Sequence, residues 1–505
     1  MQTSAEKIAK GELFRRTAAP FAYIASGVCY IPERVYNESR TKIRGRQKDV
    51  KARKKIDRTD VILHGSLWKA MLMIAVPVMV NSFLQTLYNL TDTYWLGQIG
   101  KEPLAAINLV SPLQNMIVTF GSGFTVAGAV LISQFVGAGK PERARKMTNQ
   151  ILMAAMVFCM VCVAALELFT PFIVTWLGAE GAVWNHSVTY VRVVAMDMPF
   201  LFMVNLYQAV RQAQGDTVSP MLLNLLGISL NMVLDPLLMV VWHMGTAGAA
   251  LATVISKAVP ALAAVWLLCR NREAMRLDVR LMKPEKALLK EVVRIGLPTA
   301  LGSSAFQLGF LLMSTTALSY GVDAMAAYGI ANKANTLNSL PANGIGAAVA
   351  TIVGQNMGAG QVRRAQKGYW IGTASIVAWL LGTGYVFSRP AVASAVVGIF
   401  TSDPNVLVMG TQFFSLMAMW TWNNGVVDTT TGLFRGSGHT EVTMISDAAR
   451  IWVFRFATLF VCRSWLHMGV ESVWYSVVWS NGLSALLLFI LYFTGIWKKN
   501  RVKVA

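Results

Sequence analysis

The chain has 505 residues, of which 55% are hydrophobic and only 14% charged, and its mean hydropathy is +0.49. That balance excludes an ordinary soluble multidomain protein and describes a polytopic membrane protein. The net charge of +20 does not point to nucleic acid, because the bases sit in short clusters between apolar runs and not on one face or in a recognition motif.

Residues 1–64 read as a basic extension outside the core fold. Their one apolar patch, AAPFAYIASGVCYIP, is too short to span a bilayer and lacks the flanks of a secretory signal. Lys and Arg then crowd the stretch from Arg40 to Arg58. The extension is expected to be a disordered tail, sequence upstream of a start near Val61, or a polybasic segment for anionic lipid headgroups. Beyond it, cutting at Gly, Pro and charge clusters leaves twelve stretches of spanning length: 67–96, 104–137, 144–176, 184–210, 217–242, 246–269, 286–319, 324–357, 366–388, 404–432, 440–462 and 470–497.

The connecting loops alternate in charge. Those after the second, sixth and eighth stretches are rich in Lys and Arg (Lys140, Arg143, Arg145 and Lys146 in the first of them), as is the tail 498–505, whereas those after the third, fifth and seventh carry none. Cytoplasmic loops are the basic ones, so both termini are expected in the cytoplasm and the protein in the cell (inner) membrane. Cys159 and Cys162 lie inside a span with no partnering His pattern, which reads as core packing and not as a metal site.

Self-comparison supplies the architecture. IAVP, ending at Pro77, recurs as IGLP, ending at Pro298, and QFVGAGKPERA from Gln134 recurs as QNMGAGQVRRA from Gln355, both at an offset of 221 residues. RQAQGDT up to Thr217 answers FRGSGHT up to Thr440, and HMG at His243 returns at His467, with offsets of 223 and 224. The expected fold is therefore all-α, with twelve transmembrane helices as two pseudo-symmetric six-helix bundles, 65–270 and 286–497, joined by a linker at 271–285. Six is even, so the repeat is parallel, and two such bundles enclose a central cleft.

Charges inside spans are costly and mark candidate functional residues. Asp92 lies late in the first span and Asp235 late in the fifth. Asn231 precedes Asp235 by one helical turn, and Thr253 lies early in the inward-running sixth span, so all four share the outer half of the first bundle. Such oxygens suit a cation or a shared proton. Pro77, inside the first span, offers a kink that moves Asp92. Lys257, one turn beyond Thr253, is a potential counter-ion for Asp235 or Asp92. Asp197 and Asp428 are candidates for the cleft and its substrate. The plainer alternatives are an interfacial Asp92 and a helix-end role for Asp235 ahead of Pro236.

At these residues the chain resembles the multidrug and toxic compound extrusion (MATE) family, in its prokaryotic DinF-like branch. The resemblance covers about residues 65–497 and rests on GSLWKAML, IAVP, LYNLTDTYWLGQIG, the two GAG loops, QGD at Gln214 and NMVLDP. It implies a V-shaped exporter driven by Na⁺ or H⁺ antiport. Asp92, Asn231, Asp235 and Thr253 match the branch's cation site, with Tyr88 nearby and Pro77 at the moving bend, and Asp428 resembles an acid of the other bacterial branch. Two departures stand out: the seventh span, SSAFQLGFLLMS, lacks that other branch's acid, and Lys257 replaces an expected neutral residue. An ammonium there would compete with Na⁺, which favours H⁺. The expected partners are a small-molecule substrate and membrane lipid, with no cofactor beyond the coupling ion and no metal beyond a possible Na⁺. The protein is expected to be a monomer and not an enzyme, since no nucleophile and base motif appears. The alternative is a flippase or exporter of lipid-linked or anionic substrates.

Overall fold

The computed structural model describes residues 58–99, 101–270, 276–499 and 501–502; the extension up to Asp57, part of the linker and the last residues of the tail lie outside them. Among the described residues every regular element is helical. In hydrocarbon a backbone N–H or C=O finds no water, so an apolar chain closes its hydrogen bonds within itself as helix.

A short helix α1 (Arg58–Leu63) leads into α2 (Leu67–Ile99), α3 (Lys101–Gly137), α4 (Pro141–Trp176), α5 (Gly181–Ala195), α6 (Met198–Ala213), α7 (Val218–Pro236) and α8 (Gly245–Arg270). The second repeat comprises α9 (Lys286–Leu318), α10 (Val322–Gly358), α11 (Val362–Phe387), α12 (Pro390–Gly398), α13 (Pro404–Trp420), α14 (Trp422–Gly436), α15 (Thr440–Ala448), α16 (Phe456–Ser464) and α17 (Glu471–Phe493). Eight helices are long and apolar enough to cross a membrane, and α5 with α6, bent by 44° at their junction, makes a ninth. The other three expected spans are helical too: α10, α13 with α14, and α15 with α16 through a π segment, Ala449–Arg455. Leu168, Phe172 and Trp176 are 75%, 71% and 78% exposed, a ring of large apolar side chains that is stable facing lipid.

Each bundle has a core at either end, and two helices change sides between them. At the end carrying the basic loops, Ala70, Met71, Ile74 and Ala75 of α2 are buried with Ala342, Val349 and Ile352 of the second repeat. At the opposite end Trp95 of the same helix packs on the first repeat's core. Helix α9 does the converse, with Val292 and Ile295 in the first repeat's core and Met313 and Ala317 in the second's. Met71 and Val292 are 221 residues apart, as are Ile74 and Ile295, so the exchange obeys the repeat. The sequence boundaries 65–270 and 286–497 follow the chain, and the packing crosses them.

The repeated motifs sit where the backbone demands them. Gly139 and Gly360, in the two GAG turns, have φ of +66° and +73°, a region glycine enters without penalty. The HMG motifs have the same cause: His243 and His467 are the non-glycine residues with positive φ, at 54° and 51°. One residue pair earlier in the GAG motifs, a Cβ on Gly137 would collide with the Gln355 carbonyl and one on Gly358 with that of Gln134. That contact brings α3 and α10 backbone to backbone.

Beside it lies a symmetric pair of hydrogen bonds between repeats. Gln134 Nε2 donates to Gly436 O at 2.8 Å, and Gln355 Nε2 donates to Ala213 O at 2.7 Å; all four groups are buried at the basic end. A net bond contributes about 1 kcal/mol, and a stranded buried carbonyl costs about 1–3 kcal/mol. Replacing both glutamines (Q134A/Q355A) is expected to loosen this end. Electron–electron distance measurements between spin labels at E142C and R363C should show longer separations in the double variant than in the otherwise native pair.

Helix α1 straps the same end. Ile62 is fully buried, its carbonyl accepts from Arg364 Nε at 3.1 Å, and Arg58 is ion-paired to Asp216. Burial alone would raise the Asp216 carboxyl, but Ser219, through its hydroxyl and backbone N–H, and Arg58 together hold it below the usual carboxylate value. A depressed pKa stabilises the fold above the unfolded value of about 3.9 and loses that contribution as pH falls through the folded one. Hydrogen exchange of residues 58–63 should therefore accelerate as pH is lowered below about 4, beyond the intrinsic trend, and R58A should remove that step.

Candidate functional site

Helix α7 ends at Pro236, which has no N–H to give to the preceding turn. The chain answers with a π turn, Leu237–Val241, a distortion frequent at functional sites, and Trp242 N and Met244 N then bond back to Leu237 O and Leu238 O. This fixes Asp235 in the final turn of α7, where it is 0% exposed and Asn231, one turn earlier, is 1% exposed. Asn231 Nδ2 donates to Asp235 Oδ1 at 3.1 Å. The other oxygen, Asp235 Oδ2, is buried with no hydrogen-bond partner.

Three neighbouring helices close around that oxygen. Asp92, on α2, lies near enough for its charge to act on Asp235. Tyr88, one turn before it, faces Thr253 of α8 and feels both carboxylates. The Thr253 hydroxyl donates to Ala249 O at 3.0 Å, which leaves its lone pairs for a proton donor or a cation. The five residues expected together, Tyr88, Asp92, Asn231, Asp235 and Thr253, thus share one apolar neighbourhood.

Lys257 belongs elsewhere. Its ammonium is ion-paired to Asp197, whose side chain is 3% exposed, and so it is not the direct partner of Asp235 or Asp92. Asp197 stands at the break between α5 and α6, where Pro199 interrupts the helix and frees a polar position inside the bilayer. This pair fixes the α6 junction to α8 and still lets the ammonium's field reach Asp92. Pro77 lies inside α2, between the half buried in the second repeat's core and the half that carries Asp92.

Two features went unread in the sequence. Tyr190, from α5, is 8% exposed and faces Tyr88, Asp92 and Asp235; its signal is a place two helical turns before Asp197, on the same face. Asn224 Nδ2 donates to Asn81 Oδ1 at 2.9 Å, joining α7 to α2 toward the basic end. Asn224 is two turns before Asn231, so Asn224, Asn231 and Asp235 form one polar stripe.

Asp428 is not part of this cluster. It lies on α14 and lines a cavity of about 440 Å³ between the repeats, with Thr119, Gln212, Gln307, Arg435 and Arg450 also on its wall. Arg450 Nη2 meets Asp447 Oδ1 at 3.4 Å, as the i, i+3 spacing suggests. The buried charge of the second repeat's outer half is Arg455, 4% exposed, which donates to Ser480 Oγ at 3.0 Å and Asn481 Oδ1 at 3.3 Å. Among the described residues no three His, Cys, Asp or Glu side chains gather as a metal site would require.

Removing one partner of a buried ion pair strands the other's charge, at about 3–5 kcal/mol. K257Q is accordingly expected to lower the thermal stability of the purified protein sharply, and D197N/K257Q to regain most of it. A double variant no better than K257Q would show that the two side chains do not act as a pair.

Comparison with known proteins agrees with this geometry. The MatE family model matches residues 77–237 and again 298–461, two segments whose starts are 221 residues apart. The multidrug export protein MepA of Staphylococcus haemolyticus is 25% identical over 85% of this chain and 94% of its own. A probable multidrug resistance protein NorM of Thermotoga maritima is 25% identical over 86% and 94%. Among solved structures, an outward-facing multidrug resistance MATE family transporter of the MOP superfamily superposes with a TM-score of 0.80 at 23% identity, covering 86% of this chain and 97% of that one.

Proposed function

Because this chain belongs to the MATE family of membrane transporters, we propose that it is a cation-coupled antiporter that exports amphipathic, often cationic drugs or metabolites by alternating access. The observation that carries the coupling is the Asp235 carboxylate. One oxygen is held by Asn231 and the other is buried without a partner, and a second carboxylate, Asp92, lies beside it. An unpartnered carboxylate oxygen in an apolar site is satisfied by one proton, whereas Na⁺ requires several oxygens converging on one point. Lys257, although paired with Asp197, adds positive potential that disfavours a second cation. We therefore favour H⁺ over Na⁺.

In this reading the basic loops lie in the cytoplasm of a cell-membrane protein, as the distribution of Lys and Arg supports. The contact of Gln134 and Gln355 with the opposite repeat then seals the cytoplasmic side. Protonation of the Asp92 and Asp235 pair shifts α2 and α7, and the bend at Pro77 transmits the shift to the half of α2 that lies in the other repeat. One pH unit is worth about 1.4 kcal/mol per proton, and each charge crossing 100 mV adds about 2.3 kcal/mol. Together these sustain a substrate gradient of several hundredfold per proton. Each monomer encloses its own cavity, so no second copy is required, and lipid contacts only the outer faces.

The test is ethidium efflux from pump-deficient cells, with pH and Na⁺ gradients imposed separately. Wild type is expected to export under the pH gradient alone. D235N and D92N, present at equal level, should fall to the vector background. Efflux that follows Na⁺, or a D235N variant as active as wild type, would overturn the assignment of the proton to this site.

A further inference from the structure

The cavity between the repeats carries charge on one wall only. Its charged residues, Asp428, Arg435, Asp447 and Arg450, all belong to the second repeat, while the first repeat contributes Thr119, Thr125 and Gln212. Asp447 balances Arg450, whose guanidinium also lies over the Phe306 ring at 4.4 Å from its centre. Asp428 and Arg435 are left over. Neither has an ion-pair partner among the described residues, and the Nε atoms of Arg435 and Arg450 are buried with no acceptor. Asp428 feels both guanidinium charges without touching either.

Asp428 and Arg435 stand seven residues apart on α14, which places them on one face and about 10 Å apart along the axis. A substrate of cationic charge alone would meet Asp428 and leave Arg435 buried with an unmet donor, at a desolvation cost. A substrate bearing an anion at its other end meets both. We propose that the cavity selects amphipathic zwitterions, with the protonated amine at Asp428 and the carboxylate on Arg435 and the free edge of Arg450. Phe306 and the apolar lining cover the body between them. This rests on the export reading and sharpens it, because Arg435 becomes the residue that distinguishes zwitterions from simple cations. A guanidinium is suited to that role, since its planar fork meets a carboxylate in two parallel bonds.

The test varies the ligand before the protein. Binding of norfloxacin, a rigid aryl carboxylic acid with a distal secondary amine, is measured by calorimetry on the purified full-length protein in lipid nanodiscs at neutral pH, against norfloxacin ethyl ester, which keeps the amine and loses the anion. The acid is expected to bind at least tenfold more tightly. R435Q should bring the ratio of the two affinities close to one, and R435K should restore part of it. Wild type binding the ester as tightly as the acid would overturn the proposal without recourse to any variant, as would an R435Q protein that keeps the full preference. Ethidium efflux by the same wild type separates this from failure of the export reading. Efflux with no preference for the acid refutes only the anion anchor, whereas neither efflux nor binding of either quinolone refutes both.

Discussion

A polar group inside a bilayer has no solvent to fall back on, and this one constraint orders the rest of the molecule. It makes every regular element a helix, and it forces Lys257 and Asp197 together across a broken span. It turns buried side-chain amides into the joints between helices: Asn224 to Asn81 within one repeat, Gln134 and Gln355 between repeats. Where the rule is left unmet, at Asp235 Oδ2 and at the Nε atoms of Arg435 and Arg450, the exceptions fall at the acid cluster and on the wall of the central cavity. Unmet polar groups are expensive, and a transporter has an external way to meet them: the ion and the substrate.

Geometry and charge follow different symmetries. The backbone repeats faithfully, down to the left-handed turns at His243 and His467 and the paired glutamine bonds. The charges do not. The outer half of the first repeat holds Asp92 and Asp235, and that of the second holds Arg455 with only Ser480 and Asn481 for company. Similarly, the cavity is charged on its second-repeat wall alone. Duplication thus provided two equivalent scaffolds, and the side chains have divided the work: an acid cluster suited to an ion on one side and a dipolar surface suited to a substrate on the other.

Much of this was legible in the sequence, for reasons particular residues make plain. Hydropathy and loop charge located the spans because burial in lipid leaves little choice of residue. The GAG and HMG motifs revealed the repeat because positive φ and backbone contact restrict what can stand there. Asp92, Asn231, Asp235 and Thr253 could be grouped because depth in a span is readable from position along it. Lateral neighbours were not readable in this way. Which acid would take Lys257 depended on the bend at Met196 and Asp197, a local break that turns one helix toward another. Tyr190 escaped notice because an aromatic residue in an apolar span carries no mark of what it faces. The exchange of α2 and α9 between cores was hidden too, since an apolar residue reads alike in either bundle.

That exchange has a consequence for how the protein is made. Ala70, Met71, Ile74 and Ala75 enter the membrane early, yet their packing partners Ala342, Val349 and Ile352 are encoded some 270 residues later. At ribosomal rates of about 5–20 residues per second, the first span waits on the order of 10 to 60 s with half its length facing lipid or a chaperone. The first repeat is therefore a topological unit that cannot complete its fold alone. Its biosynthesis ends only when the second repeat arrives to receive it.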